Sequence, residues 1–292
     1  MMRHPCFNAG ASRKWGRVHL PVAPGCNITC GYCDRRTDCV NESRPGVTSR
    51  VMSPEEAVDY LGRVLAAMPN ISVAGIAGPG DPLAAPDLTL ETIRLVRNRF
   101  PGLALCLSTN GLGLPERILE LRALGVGYLT LTINTVDPAV GGQIYRSVNY
   151  GGRSWNGAEG AGILLHRQRQ ALEALGDQGF VVKINTVIIP GCNDRQVGPI
   201  ARLAASHGAH LMNCLPLIPV PGTPLGHLNS PDGPMMVTVR NQAGQYLKQM
   251  RHCGRCRADA VGLICPTEEA AAAETLRMPL DIGAESIPLP EH

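Results

Sequence analysis

At 292 residues, with 44% hydrophobic and 17% charged residues, the chain can bury a substantial core, as one large α/β domain or two small ones. A net charge of +3 is too small to argue for nucleic acid, and 4% aromatic residues argue against stacked bases. Every apolar run stops short of the roughly 18 residues of a membrane span, and residues 1–17 are too polar for a secretion signal, so a cytoplasmic protein is expected.

In chain order, Arg17–Ala23 reads as a strand that runs into a cysteine-bearing loop. Ser53-Pro54-Glu55-Glu56 is a helix start, with a capping Ser, Pro in the first turn and acids at the positive end of the dipole. Val58, Leu61, Val64 and Leu65 continue it as an apolar stripe at helical spacing. Ile71–Ala77 reads as a strand, followed by the loop Gly78-Pro79-Gly80-Asp81-Pro82 and a helix over Leu88–Phe100. Leu103–Leu107 (strand) leads through Ser108-Thr109-Asn110-Gly111 to a helix over Pro115–Leu124. Tyr128–Ile133 is a strand ending at Asn134, with a helix over Ile163–Leu175 behind it. Phe180–Val187 (strand), Asp194–Ser206 (helix), Ala209–Cys214 (strand) and a last helix over Met235–Met250 complete the pattern.

Six strand–helix units imply a parallel sheet with right-handed crossovers. Six are too few for a closed eight-fold barrel, so the expected architecture is α/β, a six-stranded parallel partial (β/α)6 barrel with its site at the carboxyl ends of the strands. Residues 17–250 form that barrel domain, 1–16 an N-terminal extension, and 251–292 a C-terminal segment and tail.

Eleven cysteines are the anomaly. In a reducing compartment thiols stay free, and an odd count rules out complete internal pairing, so metal ligation or catalysis is the better reading. Cys26-Asn-Ile-Thr-Cys30-Gly-Tyr-Cys33 places three thiols in a loop directly after a strand. Three such thiolates can hold three corners of a cubane and leave the fourth iron open. The competing readings are a zinc site lacking its fourth ligand, which favours Cys pairs at two separate places, or a redox pair with a spare thiol. Cys192, Cys214 and Cys265 read as structural.

The triplet, with Tyr32 before its last cysteine and a parallel α/β chain behind it, resembles the radical S-adenosylmethionine (SAM) superfamily. The resemblance implies that Cys26, Cys30 and Cys33 hold a catalytic [4Fe–4S] cluster whose open iron chelates SAM. Electron transfer would then cleave SAM to methionine and a 5′-deoxyadenosyl radical. Gly78, Gly80 and Asp81 sit where that superfamily has its SAM-binding glycine-rich motif. Ser108, Thr109 and Asn110, with Asn134 and Asn185 at the ends of the next strands, could bind the SAM carboxylate or ribose; each could also be an ordinary turn or cap residue.

Further segments carry a closer resemblance. These are His4-Pro5-Cys6, the Asp34–Gly46 stretch with Cys39, Lys183-Ile-Asn-Thr-Val187, Pro216-Leu-Ile-Pro219 and Cys253-Gly-Arg-Cys256. Together and in this order they resemble the NifB family of nitrogenase cofactor maturases, over His4 to about Leu263. Asp34-Arg35-Arg36-Thr37 stands where the family more commonly has Asn-Arg-Lys-Tyr. Many members add a C-terminal cofactor-carrier domain, and the expectation here is the short form.

The family resemblance implies that two further [4Fe–4S] substrate clusters are fused, with a SAM-derived carbide and a ninth sulfur, into the [8Fe–9S–C] precursor of the nitrogenase cofactor. Cys253, Cys256 and Cys106 would hold one substrate cluster; Cys39, Cys6 and His4 the other, with His19 a rival nitrogen ligand. Glu42 and Arg44 order a cluster or the SAM carboxylate, or form a loop salt bridge. Implied partners are an iron–sulfur cluster donor, carrier or scaffold proteins of nitrogenase assembly, and an electron donor such as a ferredoxin, for a monomer with no nucleic-acid or membrane partner. Two other functions fit the same residues: a radical-SAM methylase or peptide-modifying enzyme with auxiliary clusters, and a non-catalytic iron–sulfur scaffold.

Overall fold

The structure, a computed structural model, describes residues 3–41, 49–254 and 256–264. Its elements in chain order begin with β1 (Gly16–His19), β2 (Ile28–Cys30), α1 (Pro54–Ala67), β3 (Ile71–Ile76), α2 (Pro86–Arg99) and β4 (Ala104–Thr109). A 3-10 turn over Pro115–Arg117 enters α3 (Ile118–Ala123), followed by β5 (Val126–Thr132), α4 (Pro138–Ile144), β6 (Tyr145–Tyr150) and β7 (Arg153–Trp155). The rest are α5 (Gly157–Gly176), β8 (Val181–Ile188), α6 (Val197–Ser206), β9 (Leu211–Pro216), α7 (Gly233–Gly244) and β10 (Val261–Gly262).

The main sheet runs β10-β1-β3-β4-β5-β8-β9. Its six successive strands from β1 to β9 are all parallel, and β10 is added antiparallel at the β1 edge. This is the six-stranded partial barrel expected from the strand–helix count. Strands covered on both faces read as near-continuous apolar runs. Leu107, Leu129, Leu131 and Ile184 are fully buried, and the main core joins these strands to the inner faces of α1, α2, α3, α5 and α6.

Local signals place the helices. The Ser53 hydroxyl accepts from the Glu56 N–H at 3.2 Å while the Glu56 carboxylate accepts from the Ser53 N–H at 2.8 Å, a reciprocal capping box. Two departures from the expected elements matter for the site. The last helix ends at Gly244 rather than Met250, because 247–250 leaves it to pair with β9: the Met212 N–H donates to the Lys248 carbonyl and the Met250 N–H to that of Met212. A second sheet, β2-β6-β7, lies outside the barrel and was not anticipated. Gly151-Gly152, with φ of 63° and 74°, makes the two-residue turn between β6 and β7, and pairing β6 to β2 anchors the triplet loop. A separate apolar cluster with Ile28, Cys30, Tyr32, Ile144 and Val148 supports this layer.

Candidate active site

Two adjoining cavities are walled by the parallel strands, the first at their carboxyl ends and the second deeper, at mid-strand. The first is lined by Cys26, Cys30 and Cys33 together with Cys39, Arg35, Asp81, Thr109 and Asn110. Its rim is backbone on backbone. The Gly80 N–H donates to the Ala23 carbonyl at 2.7 Å and the Asp81 N–H to that of Gly25 at 2.8 Å, so the glycine loop lies against the chain entering the triplet. A Cβ on Gly80 would stand 1.8 Å from the Gly25 carbonyl oxygen, so no other residue fits there without moving the loop beside Cys26. The neighbouring Gly78–Pro79 peptide is cis.

All the described cysteines are free thiols. Burial pushes the Cys26 thiol up to about 12 and holds Cys30 and Cys39 well above the ordinary range, with Cys33 raised too. Dry, clustered thiols of this kind become thiolates only when a bound cation compensates their charge. The donor set therefore fits an iron–sulfur cluster. Among the described residues no three His, Cys, Asp or Glu side chains converge on one ion; thiolates that bind separate irons do not need that convergence.

Of the residues expected to bind SAM, Gly80, Asp81, Ser108, Thr109 and Asn110 line this cavity, while Gly78 and Asn134 do not line it and Asn185 lines the second; several are engaged within the protein. Asp81 accepts from the Leu83 N–H (2.9 Å), the Asn110 N–H (2.6 Å) and the Thr109 hydroxyl, which is 3.0 Å from both carboxylate oxygens. Its carboxylate thus ties the glycine loop to the end of β4. Asn110 Nδ2 donates to Asn27 Oδ1 at 2.7 Å and reaches Cys26 Sγ at 3.8 Å. Asn134 Nδ2 donates to the Tyr32 hydroxyl (2.7 Å), which donates to Asn41 Oδ1 (2.8 Å); Asn134 Oδ1 accepts from the Val187 N–H. Asn134 and Asn110 therefore brace the triplet loop. Glu42 and Arg44 lie outside the described residues.

The second cavity opens within the barrel and shares Asn41 and Ser108 with the first. His4, Cys6, Cys106, Cys253 and Cys256 all line it, with His19 and Asn185. Residues from both ends of the chain and from β4 thus converge, while Cys39 stands with the triplet rather than beside His4 and Cys6. Burial pushes Cys6 up to about 11 and His19 down to about 4, and His4 lies well below the usual histidine range, so both imidazoles are neutral at physiological pH. The Cys6 N–H donates to His4 Nδ1 at 3.2 Å, and His4 Nε2 is buried without a hydrogen-bond partner among the described residues. His19 Nδ1 sits 3.1 Å from the Arg257 carbonyl, an arrangement that orients the ring and leaves Nε2 for a ligand. Cys214 is in the main core and Cys192 is half-buried beside Gln143; Cys265 lies outside the described residues.

The model of the Radical SAM superfamily matches residues 20–204, which takes in the triplet, the glycine loop and the parallel strands β3, β4, β5 and β8. The chain belongs to the radical SAM superfamily. It is similar to the FeMo cofactor biosynthesis protein NifB of Chlorobaculum tepidum, 49% identical over 89% of this chain and 62% of that protein. The protein of the same name from Klebsiella pneumoniae is 45% identical over 89% of this chain and 57% of its own. The chain thus spans about six-tenths of the length of these curated relatives. Among solved structures it resembles Streptococcus suis SuiB bound to S-adenosylmethionine, with a TM-score of 0.56 at 13% identity over 80% of this chain and 49% of that one. It also resembles methylornithine synthase (PylB), with a TM-score of 0.52 at 17% identity over 85% of this chain and 75% of that one. At such identities these two support the superfamily fold alone. No helix among the described residues is long and apolar enough to cross a membrane.

Sequence reasoning missed four residues that shape these cavities: Arg17, Arg35, Asn41 and Lys183. Two had a visible signal. Arg17 and Lys183 are charges set inside apolar strands, Arg-Val-His-Leu and Val-Val-Lys-Ile, where a charge is costly unless it faces something polar.

Proposed function

We propose that this radical SAM protein is a cofactor maturase that fuses two [4Fe–4S] substrate clusters, with a SAM-derived carbide and an added sulfur, into the [8Fe–9S–C] precursor of the nitrogenase cofactor. The observation that carries the reading is the second cavity. His4, Cys6, Cys106, Cys253 and Cys256, far apart in sequence, line one space that adjoins the triplet cavity across Asn41 and Ser108. The similarity to proteins named for FeMo cofactor biosynthesis supports the same substrate class.

In this reading Cys26, Cys30 and Cys33 hold the resident [4Fe–4S] cluster, and bound SAM with that cluster supplies the one-electron chemistry and the one-carbon unit. The protein's own part is positional. Asp81 and Gly80 hold the cavity wall beside Cys26, Asn134 fixes Tyr32, and burial excludes water that would quench a radical. The neutral His19, or His4 once its Nδ1 gives up the Cys6 N–H, would give a substrate cluster a nitrogen corner, uncharged where a thiolate is not and more easily released. Residues 1–16 and 251–292 then act as ligand-bearing extensions of a barrel domain over 17–250. A cluster donor, a carrier or scaffold protein and a ferredoxin-type electron donor would complete the system in the cytoplasm.

The test is iron and acid-labile sulfide per chain after anaerobic reconstitution. Three cubanes predict about 12 iron atoms per chain and a lone SAM cluster about 4. The higher value supports the maturase reading. The lower would remove the substrate-cluster roles of His4, Cys6, Cys39, Cys106, Cys253 and Cys256 while leaving SAM cleavage standing.

A further inference from the structure

The wall of the second cavity carries buried positive charge. Arg17, on β1, is 6% exposed, and Lys183, on β8, is equally buried. No carboxylate lines the cavity among the described residues. A buried guanidinium is costly unless an anion or a full set of acceptors meets it. Arg17 has part of such a set. Its Nη1 donates to the Gly262 and Leu263 carbonyls, and its Nη2 lies 2.8 Å from Cys256 Sγ. Its Nε is buried with no hydrogen-bond partner among the described residues. The guanidinium is held in place by β10, which pairs Gly262 directly with Arg17. Lys183, with its ammonium 5.5 Å from the Phe7 ring centroid, adds positive charge to the same space.

We propose that Arg17, aided by Lys183, is the counter-charge for an anionic iron–sulfur occupant of this cavity. It is a positioning residue that steadies the Cys256 thiolate and sets the charge against which a substrate cluster is bound. A cubane with thiolate ligands is an anion, and donors from Arg to sulfur stabilise its more reduced, more negative state. The proposal rests on the maturase reading, because it requires an iron–sulfur substrate here, but it assigns a role to residues that are not themselves iron ligands.

The experiment uses the full chain with Cys26, Cys30 and Cys33 all changed to Ala, so that only the second cavity can load iron. Arg17→Lys, Arg17→Gln and Lys183→Gln are added singly. The readouts are iron per chain, the rate of iron loss to a chelator, and the midpoint potential by EPR-monitored titration, with circular dichroism as the folding control. Losing one close, partly buried charge interaction corresponds to about tenfold faster iron loss. Arg17→Gln is expected to show that loss and a more negative potential, Lys183→Gln a smaller shift the same way, and Arg17→Lys near-parental values. Parental iron retention and potential in both Gln variants overturn the proposal. Equal loss in Arg17→Lys and Arg17→Gln also overturns it, since the fork geometry rather than the charge would then matter. If Arg17→Gln does not fold, Lys183→Gln decides: an unchanged potential overturns the proposal. If the parent triple variant binds no iron, the maturase reading itself fails and the counter-charge role falls with it. That outcome is distinct, because it appears before any Arg17 change is made.

Discussion

The two cavities share a wall but are built in opposite ways. The first is local. Its thiols come from residues 26–39, and its rim from a glycine loop that meets the same stretch backbone to backbone. The second is assembled across the chain: Cys6 and Cys256, 250 positions apart in number, line one space because β10 pairs with β1 and the first turns lie against β5 through the His4–Tyr128 ring contact. A cavity made by one short loop can be damaged by one substitution in that loop. A cavity made by the fold is sensitive to whatever holds the chain ends on the barrel.

Cys30→Ala separates the two cavities most clearly. It is expected to abolish 5′-deoxyadenosine formation while iron in the second cavity remains; retained SAM cleavage would remove the triplet from its assigned role. Cys256→Ala should do the reverse, sparing SAM cleavage and lowering iron by about 4 of about 12 atoms per chain, read by iron analysis beside a cleavage assay. Gly80→Ala forces a Cβ against the Gly25 carbonyl and should cost about 1–3 kcal/mol in a denaturant melt. Its iron loss should be confined to the triplet; equal loss in both cavities would mean that the two are not separate units. Tyr32→Phe leaves Asn134 Nδ2 and Asn41 Oδ1 buried without their shared partner and should cost about 1–3 kcal/mol at most. Because Asn41 lines both cavities, this variant should loosen iron in each. Smallest is Ser53→Ala, which removes a helix cap remote from both cavities and should lower stability by about 1 kcal/mol with unchanged iron.

Much of the molecule was legible beforehand. The capping box at Ser53 and the apolar runs of β3, β4, β5 and β8 place their elements, because caps and buried strands write themselves in consecutive residues. The triplet spacing and the Gly-Pro-Gly-Asp loop were legible for the same reason. Less legible was what those residues do. Asp81 and Asn134 were singled out at strand ends, yet the structure spends their hydrogen bonds on Thr109, Asn110, Tyr32 and Val187. The Gly151-Gly152 hairpin turn was present in the sequence, but its strands are too short and polar to stand out by periodicity.

The six parallel strands and the spacing of the first thiol cluster were written in the chain, since both follow from period and spacing over a few residues. The remaining placements come from the fold: it set Cys39 with the triplet, brought Cys6 and His4 beside the Cys106, Cys253 and Cys256 group that the family resemblance implied, and turned two strand cations, Arg17 and Lys183, onto that cavity's wall. Those placements depend on which strand lies at the edge and what pairs with it, and non-local pairing leaves no periodic trace in the chain.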